Sequence, residues 1–418
     1  MRTANPSYRA ASLSLLLALL TPVPDAHAAP VSPETREVVA GNTTFALNLY
    51  GELKTADGDL FFSPFSISMA LAMTYGGARG ETAEQMAKVL QFAAIPTPSV
   101  HAAFGFLKAG IDSIQRRENV RLFTANALWP QTGYPFRDDY LDLLNRQYGA
   151  SVTPLDYNGN KRAACQVINQ WVEEHTERKI TDLIRPDGLG SQTRLVLVNA
   201  IYFLGQWASP FKPRGTIEDT FHRTANQDVK CQMMHQRGNF AYAENPDLQI
   251  VELPYVGNEL SMVILLPQTV DGVGALERTL SADRLAEWFG SLKEEVVVVQ
   301  LPKFSQASTF SLAETLQSMG MVLPFERRAD FSGMDGHTNR LFISVVAHKA
   351  YVNVNEEGTE AAAATAVEMM LMARKGGPEV PVFRADHPFL FLIKEKTTGS
   401  ILFLGRVMEP KAGHAIGS

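Results

Sequence analysis

Residues 356–367 read Glu356-Glu357-Gly358-Thr359-Glu360-Ala361-Ala362-Ala363-Ala364-Thr365-Ala366-Val367. Glu368-Met369-Met370-Leu371-Met372-Ala373-Arg374-Lys375-Gly376-Gly377-Pro378 follows. Propensity alone favours a helix here: the stretch is rich in Ala and Met, acidic at its start, basic at its end and closed by glycines. Two features oppose a helix. Gly358 would sit inside the first turn, and the apolar residues would spread around every face. Read with a period of two, Thr359, Ala361, Ala363, Thr365 and Val367 share one uncharged face. Glu360, Ala362, Ala364, Ala366 and Glu368 share the other, with charge only at its ends. Small residues of this kind can stand exposed without forming a large apolar patch, and can also enter a packed sheet without clashes. Gly358 supplies the backbone freedom to swing such a segment inward.

Working outward, Leu341 to Asn355 alternates as a strand and leads into this segment. Pro388 to Val407 reads as a hairpin around Thr397-Thr398-Gly399. Further strands are predicted at Arg194 to Gln206, Gln249 to Pro254, Leu260 to Leu266 and Val296 to Pro302. The first half reads as helical: Glu34 to Leu53, Ser66 to Tyr75 after Ser63-Pro64, Thr82 to Leu90, Val100 to Arg117 and Lys161 to Leu183. In the last of these Val167, Ile168, Trp171 and Val172 are placed on the apolar side. Shorter helices are expected at Ser281 to Phe289 and Leu312 to Met319. Helices first and strands later predict an α+β fold with antiparallel or mixed sheets. No Pro/Ser-rich linker after residue 30 divides the chain.

The 418 residues are 45% hydrophobic and 20% charged, which excludes a disordered or fibrous chain. A formal charge of −6 disfavours general nucleic-acid binding. Two cysteines exclude a disulfide scaffold and a multi-cysteine metal site. Cys165 and Cys231 are read as buried thiols. Residues 1–28 read as a secretion signal: Arg2 and Arg9, then the apolar run Ala10 to Leu20, then Pro22, Pro24 and Ala26-His27-Ala28. The domain proper is then 29–418. No later apolar run is long enough to span a bilayer. Asn42-Thr43-Thr44 is a sequon that matters only where the host glycosylates.

Enzyme motifs are missing. No G-x-S-x-G, H-E-x-x-H, C-x-x-C or Walker A pattern occurs. Gly272-Val273-Gly274 reads as a loop, Glu173-Glu174-His175 as a solvated helix face, and Asp57-Gly58-Asp59 lacks the rest of a calcium loop. No cofactor or metal is implied.

The 356–375 segment closely resembles the hinge and reactive-centre loop of the serpins, the serine-protease-inhibitor superfamily. Phe62-Ser63-Pro64-Phe65-Ser66-Ile67-Ser68 resembles the family's second-helix motif. Val198-Asn199-Ala200-Ile201-Tyr202-Phe203, with Gly205 and Trp207, resembles its central strand. Leu301-Pro302-Lys303-Phe304, Leu316 to Met321, His348-Lys349-Ala350 and Asp386-His387-Pro388-Phe389 follow in the family's order. Together the blocks cover about residues 34–410. The resemblance implies one α+β domain with three β-sheets, eight or nine helices and an exposed reactive-centre loop.

It also implies a secreted suicide-substrate inhibitor of serine endopeptidases, with cysteine endopeptidases as a further class, and not an enzyme. The target protease would be a covalent partner. The active state would be a monomer able to form loop–sheet polymers, with no nucleic-acid or membrane partner. The hinge would comprise Glu356, Glu357, Gly358, Thr359, Glu360, Ala361, Ala362, Ala363, Ala364 and Thr365. Counting from Glu356, the scissile bond falls at Met372-Ala373, which suits chymotrypsin-like or elastase-like proteases. The alternative is Arg374-Lys375, which suits trypsin-like ones. A non-inhibitory serpin acting as a binding protein is the other reading. Ser63, Ser66, Asn199 and His348 fall on the family's hydrogen-bonded shutter positions, and Trp207 on the upper entry of the sheet. An uncharged Thr359 and the alanine run favour insertion, and Thr359→Arg is expected to turn inhibitor into substrate.

Overall fold

The computed structural model describes residues 30–54, 58–115, 119–150, 152–338, 340–359 and 380–411. The proposed signal peptide, Glu360 to Thr365 of the hinge, and both candidate scissile bonds lie outside them.

The first helix, Pro33–Leu53, starts where the Ser32 hydroxyl accepts from the Thr35 N–H, with proline at the first helical position. Ser63 caps the next helix, Pro64–Tyr75, in the same way. Every residue of that second helix is buried. A helix apolar on all sides belongs inside the molecule, and this one lies beneath the strands described next. Further helices are Gly80–Val89, Thr97–Gln115, Asp138–Leu143, Tyr157–His175, Val273–Thr279, Ala282–Ser291, Ala313–Ser318 and Ser332–Asp335.

In chain order the strands are β1 Leu60–Phe62, β2 Val120–Pro130, β3 Leu195–Gln206, β4 Ile217–Thr224, β5 Gln227–Glu244, β6 Leu248–Pro254 and β7 Leu260–Pro267. They continue with β8 Lys293–Pro302, β9 Phe304–Ser311, β10 Ile343–Val354, β11 Gly358–Thr359, β12 Val382–Arg384, β13 Phe389–Glu395 and β14 Ile401–Val407. One sheet has the order β2-β3-β11-β10-β9, with β3 also pairing β10 directly. The other joins nine strands in the order β1-β14-β13-β7-β6-β5-β8-β12, with β4 on β5.

The α+β fold in one domain agrees with the sequence reading. The counts differ in detail. Among the described residues ten α-helical segments occur, the last of only four residues. Two of the three expected sheets are continuous, because the 18-residue β5 bonds to β4 and β8 along one part and to β6 along another.

Three local expectations are corrected. The helix predicted over Lys161 to Leu183 runs Tyr157–His175, and Glu177 and Arg178 turn the chain away with φ of 48° and 57°. Val167 on that helix is 44% exposed, since the buried stripe is Ala164, Cys165, Ile168 and Val172. Gly272-Val273-Gly274 is no loop: Val273–Thr279 is helical, with Gly272 preceding it.

Two apolar layers sandwich the five-stranded sheet. Leu195, Leu197, Ile201 and Phe203 of β3 face the main core. Val196, Val198, Ala200 and Tyr202 face the opposite way, against Ile168 and Val172 of the Tyr157–His175 helix. This strict alternation fixes which face any neighbouring strand residue must join.

Candidate functional site

β3 and β10 run parallel and pair from Ile343↔Leu195 to Tyr351↔Tyr202. Both lie inside the sheet, so the seam between them is the place where it could open. A polar row crosses the seam at mid-height. Asn126 of β2 sits opposite Asn199 of β3, Asn199 opposite His348 of β10, and His348 opposite Phe310 of β9.

From Asn126 to His348 the row is hydrogen-bonded throughout. The Ser63 N–H donates to His348 Nε2 at 3.2 Å, so Nδ1 carries the proton and donates to Asn199 Oδ1. Asn199 Nδ2 donates to the Ser66 hydroxyl and to Asn126 Oδ1. Ser63 Oγ donates to the Leu402 carbonyl at 2.6 Å and accepts from the Ser66 N–H at 3.1 Å. The start of the Pro64–Tyr75 helix therefore bolts both sides of the seam from below. His348 is fully buried, and burial pushes its imidazole down to about 3, only partly offset by the Asn199 hydrogen bond. It is neutral at ordinary pH, as the Ser63 donation requires.

Near the top the seam is already parted by β11. Gly358 pairs with Gln206 and Thr359 with Gly205 on β3, while Thr359 also pairs with Val354 on β10, all antiparallel. The turn into β11 forms because Asn355 Oδ1 accepts from the Glu357 and Gly358 N–H groups. The Asn355 carbonyl accepts from Trp207 Nε1 at 3.0 Å, and the Trp207 and Phe211 N–H groups donate to the Glu357 and Glu356 carbonyls. Trp207 stacks on Tyr255 with ring centroids 4.7 Å apart. The Tyr255 and Thr359 hydroxyls are 2.9 Å apart, and Thr359 is fully buried.

Glu356 is tied by Lys303 Nζ and the Thr216 hydroxyl, each at 2.8 Å. Burial works against its ionisation, but these two hydrogen bonds outweigh that and hold its carboxyl below the usual range. Gly358 has φ 153°, and a Cβ there would come 2.0 Å from the Gly205 carbonyl oxygen. Only glycine fits at that crossing.

On the far side of 360–379, β12 pairs parallel with β8. β11 thus lies inside the five-stranded sheet and β12 at the edge of the nine-stranded one. This arrangement presents no catalytic constellation.

A family model for serpins, serine protease inhibitors, matches residues 40–410. An uncharacterised serpin-like protein of Thermococcus kodakarensis is 42% identical over 380 residues, covering 91% of this chain and 87% of the relative. Leukocyte elastase inhibitor of Xenopus laevis is 40% identical over 378 residues, covering 88% and 98%. Among solved structures, Serpin48 of the insect Tenebrio molitor superposes with a TM-score of 0.79 at 33% identity, covering 91% of this chain and all of that one.

The chain is a serpin. As such it belongs with the protease inhibitors and not with the enzymes. Human thyroxine-binding globulin, solved with its ligand, also superposes, with a TM-score of 0.82 at 31% identity over 90% of this chain.

In this serpin the predicted Ser63, Ser66, Asn199 and His348 come together as one cluster, and Trp207, Glu356, Glu357, Gly358 and Thr359 as a second one above it. Asn126 and Tyr255 complete the two clusters and were not picked out from the sequence. Asn126 shows no local signal, but lies across the ladder from Asn199. Cys165 and Cys231 are free and buried. Asn42 is buried inside the first helix, where Oδ1 accepts from the Ser68 hydroxyl, so the folded chain withholds that asparagine from solvent. Asp59 Oδ1 accepts from the Met408 and Glu409 N–H groups and is engaged in backbone capping. Among the described residues no cluster of three or more His, Cys, Asp or Glu could hold a metal, and no helix is long and apolar enough to cross a membrane.

Proposed function

We propose that this serpin is a suicide-substrate inhibitor of serine endopeptidases that works by inserting its cleaved loop between β3 and β10. The observation that carries this reading is β11, two hinge residues already paired with both strands at the top of the seam. The protease serine attacks the Met372 carbonyl carbon, the bond to the Ala373 nitrogen breaks, and Ala373 leaves as a new N-terminus. Met372 stays esterified to the protease. Residues from Glu360 onward then extend β11 downward.

Continuing its antiparallel register, each further residue pairs one position earlier on β3 and on β10. Ala361 falls opposite Phe203 and Val352, and Thr365 opposite Asn199 and His348. The polar row is where the new strand has to replace a side-chain bond, and Thr365 brings a hydroxyl to that place. The eight-pair parallel ladder gives way to two antiparallel ones. About ten added ladder bonds at roughly 1 kcal/mol net each give ~10 kcal/mol. That is the size of a whole domain's stability, enough to make the step irreversible.

Met372 favours chymotrypsin-like or elastase-like targets, and Arg374 is the alternative with trypsin-like targets. Residues 1–28 are proposed as a removed signal, so that the inhibitor acts outside the cell or in the periplasm.

The test is incubation with chymotrypsin, elastase and trypsin, read on denaturing gels and by N-terminal sequencing of the released fragment. An SDS-stable complex with a fragment starting at Ala373 is expected. Thr359→Arg should be cleaved at the same bond but release active protease, because the seam offers its cation no partner at that buried position. Cleavage of the wild type without any complex would remove the inhibitory reading. Unchanged complex formation by Thr359→Arg would remove the inward assignment of that side chain.

A further inference from the structure

The Asp386-His387 pair follows β12 directly and takes no part in the seam. β12 lies across residues 360–379 from β11, and as a three-residue strand at the end of the sheet order it makes few ladder bonds. At its two ends the Val298 N–H donates to the Pro381 carbonyl and the Ala385 N–H to the Gln300 carbonyl, each at 2.9 Å. Side chains add to this hold. Arg384 donates from Nη1 to Gln300 Oε1 and from Nη2 to Asp219 Oδ2, each at 2.9 Å, and from Nε to Asp386 Oδ2 at 2.7 Å.

His387, which is buried, closes this chain of charges. Its Nδ1 lies 2.9 Å from Asp386 Oδ1, and its Nε2 lies 2.8 Å from the Pro267 carbonyl oxygen at the end of β7. A carbonyl can only accept. The Asp386 carboxyl is ionised: burial works against its charge, but the bonds from His387 and Arg384 outweigh that and hold it below the usual range. Both ring nitrogens therefore face acceptors, and both need protons to satisfy them. A neutral imidazole has one N–H and would set a lone pair against one of the two oxygens. Along Asp219, Arg384, Asp386 and His387 the charges alternate, and they cancel only while the ring is an imidazolium. The groups on neighbouring strands leave this balance alone. His222 of β4 donates its backbone N–H to the Asp386 carbonyl, but its ring is paired with Asp228 at 2.7 Å. Cys231 of β5, opposite Asp219, lies near Asp219, Arg384, Asp386 and Lys230; burial pushes its thiol up to about 11, so it stays neutral where histidines titrate.

We propose that the second proton on His387 is a pH-operated clasp for β12. With it, Asp386 is held between two cations and the strand is pinned to β4, β7 and β8. Without it, one of the two ring contacts is lost and β12 loosens on β8. A firm β12 would also limit how much of 360–379 can enter the seam before cleavage; that consequence rests on the insertion reading above, whereas the clasp itself does not.

The test is amide hydrogen exchange of the uncleaved full chain, read by mass spectrometry on a peptide covering Val382 to Asp386 and corrected for the intrinsic pH dependence of exchange. The His387 ring is titrated by NMR in the same buffers and assigned by its loss in His387→Gln. Protection of the peptide is expected to fall about tenfold as the ring gives up its second proton, with the same midpoint as the ring titration. His387→Gln, which cannot change its charge, should show low protection and no step. Protection that stays level through the ring titration would overturn the clasp, as would a step that survives in His387→Gln. Should that variant fail to fold, Asp386→Asn decides: its amide can donate to a neutral ring, so the step should vanish, and a step of wild-type size would overturn the proposal. None of these readings depends on whether a protease is trapped.

Discussion

His348 is a histidine that the fold needs without its charge. Its Nε2 must accept from Ser63 while Nδ1 donates to Asn199, and a second proton would break the first of these bonds. With its pKa lowered to about 3 in the fold and near 6.5 in the unfolded chain, the unfolded state binds more protons between those values. The contribution of His348 to stability is therefore fully present above about pH 6.5 and is lost as pH falls toward 3, at up to ~1.4 kcal/mol per pH unit. His101, lowered to about 4 mainly by burial, acts in the same direction. His348→Gln should lower the urea midpoint at pH 7 and flatten its fall between pH 6.5 and 4. An acid limb as steep as the wild type's would show that the row is not titrating through this residue.

The two-residue β11 shows how little structure can matter at the level of an element. Its crossing of β3 is closed to any side chain at Gly358, because a Cβ would overlap the Gly205 carbonyl. Gly358→Ala should push β11 out of the seam, free the Tyr255 hydroxyl from Thr359 and loosen the Trp207 bond to Asn355. The measurement is indole emission, with Trp207→Phe in both backgrounds to isolate that ring, and a red shift is expected for Gly358→Ala. Unchanged emission would mean that the hinge tolerates the substitution in place. Elements of this kind differ in how plainly they can be read from residues. Arg194 to Gln206 is legible because it is apolar and buried almost throughout, and Leu341 to Asn355 because it alternates as a strand. β9 escapes notice since Phe304–Ser311 is mostly Ser, Gln and Thr and is a strand only because β10 pairs with it. β2, in a region that otherwise reads as helical, and the polar 18-residue β5 are hidden for the same reason: partners distant in sequence define them. The hinge is legible from Gly358 and the alanine run, but Asn126 and Tyr255 join the site only through cross-strand register and ring stacking, which no local pattern encodes.

Across the whole molecule, a seam that takes up the chain's own loop, as proposed above, would take up a neighbour's as well. The backbone groups of β3 and β10 satisfy each other only until a strand offering two ladders arrives, and the two-residue β11 occupies just the top of that space. Warming the uncleaved serpin below its midpoint should therefore give a ladder of oligomers on native gels, while the cleaved serpin, its seam filled, should stay monomeric at the same temperature. Oligomers from both forms alike would point to ordinary aggregation. One more contact spans the seam on its outer side: Lys349 Nζ of β10 donates at 2.7 Å to the carbonyl of Thr181, in the chain that trails the Tyr157–His175 helix lying over β2 and β3. Admitting a strand moves β3 and β10 apart by about 4.8 Å, so this bond must let go before the sheet can widen. On the proposed insertion, its loss counts against the widened state and adds to the barrier. In the mechanism proposed above it would act as a delay element, set against the lifetime of the acyl-enzyme, and lengthening or shortening that delay would decide whether a protease is caught or walks free.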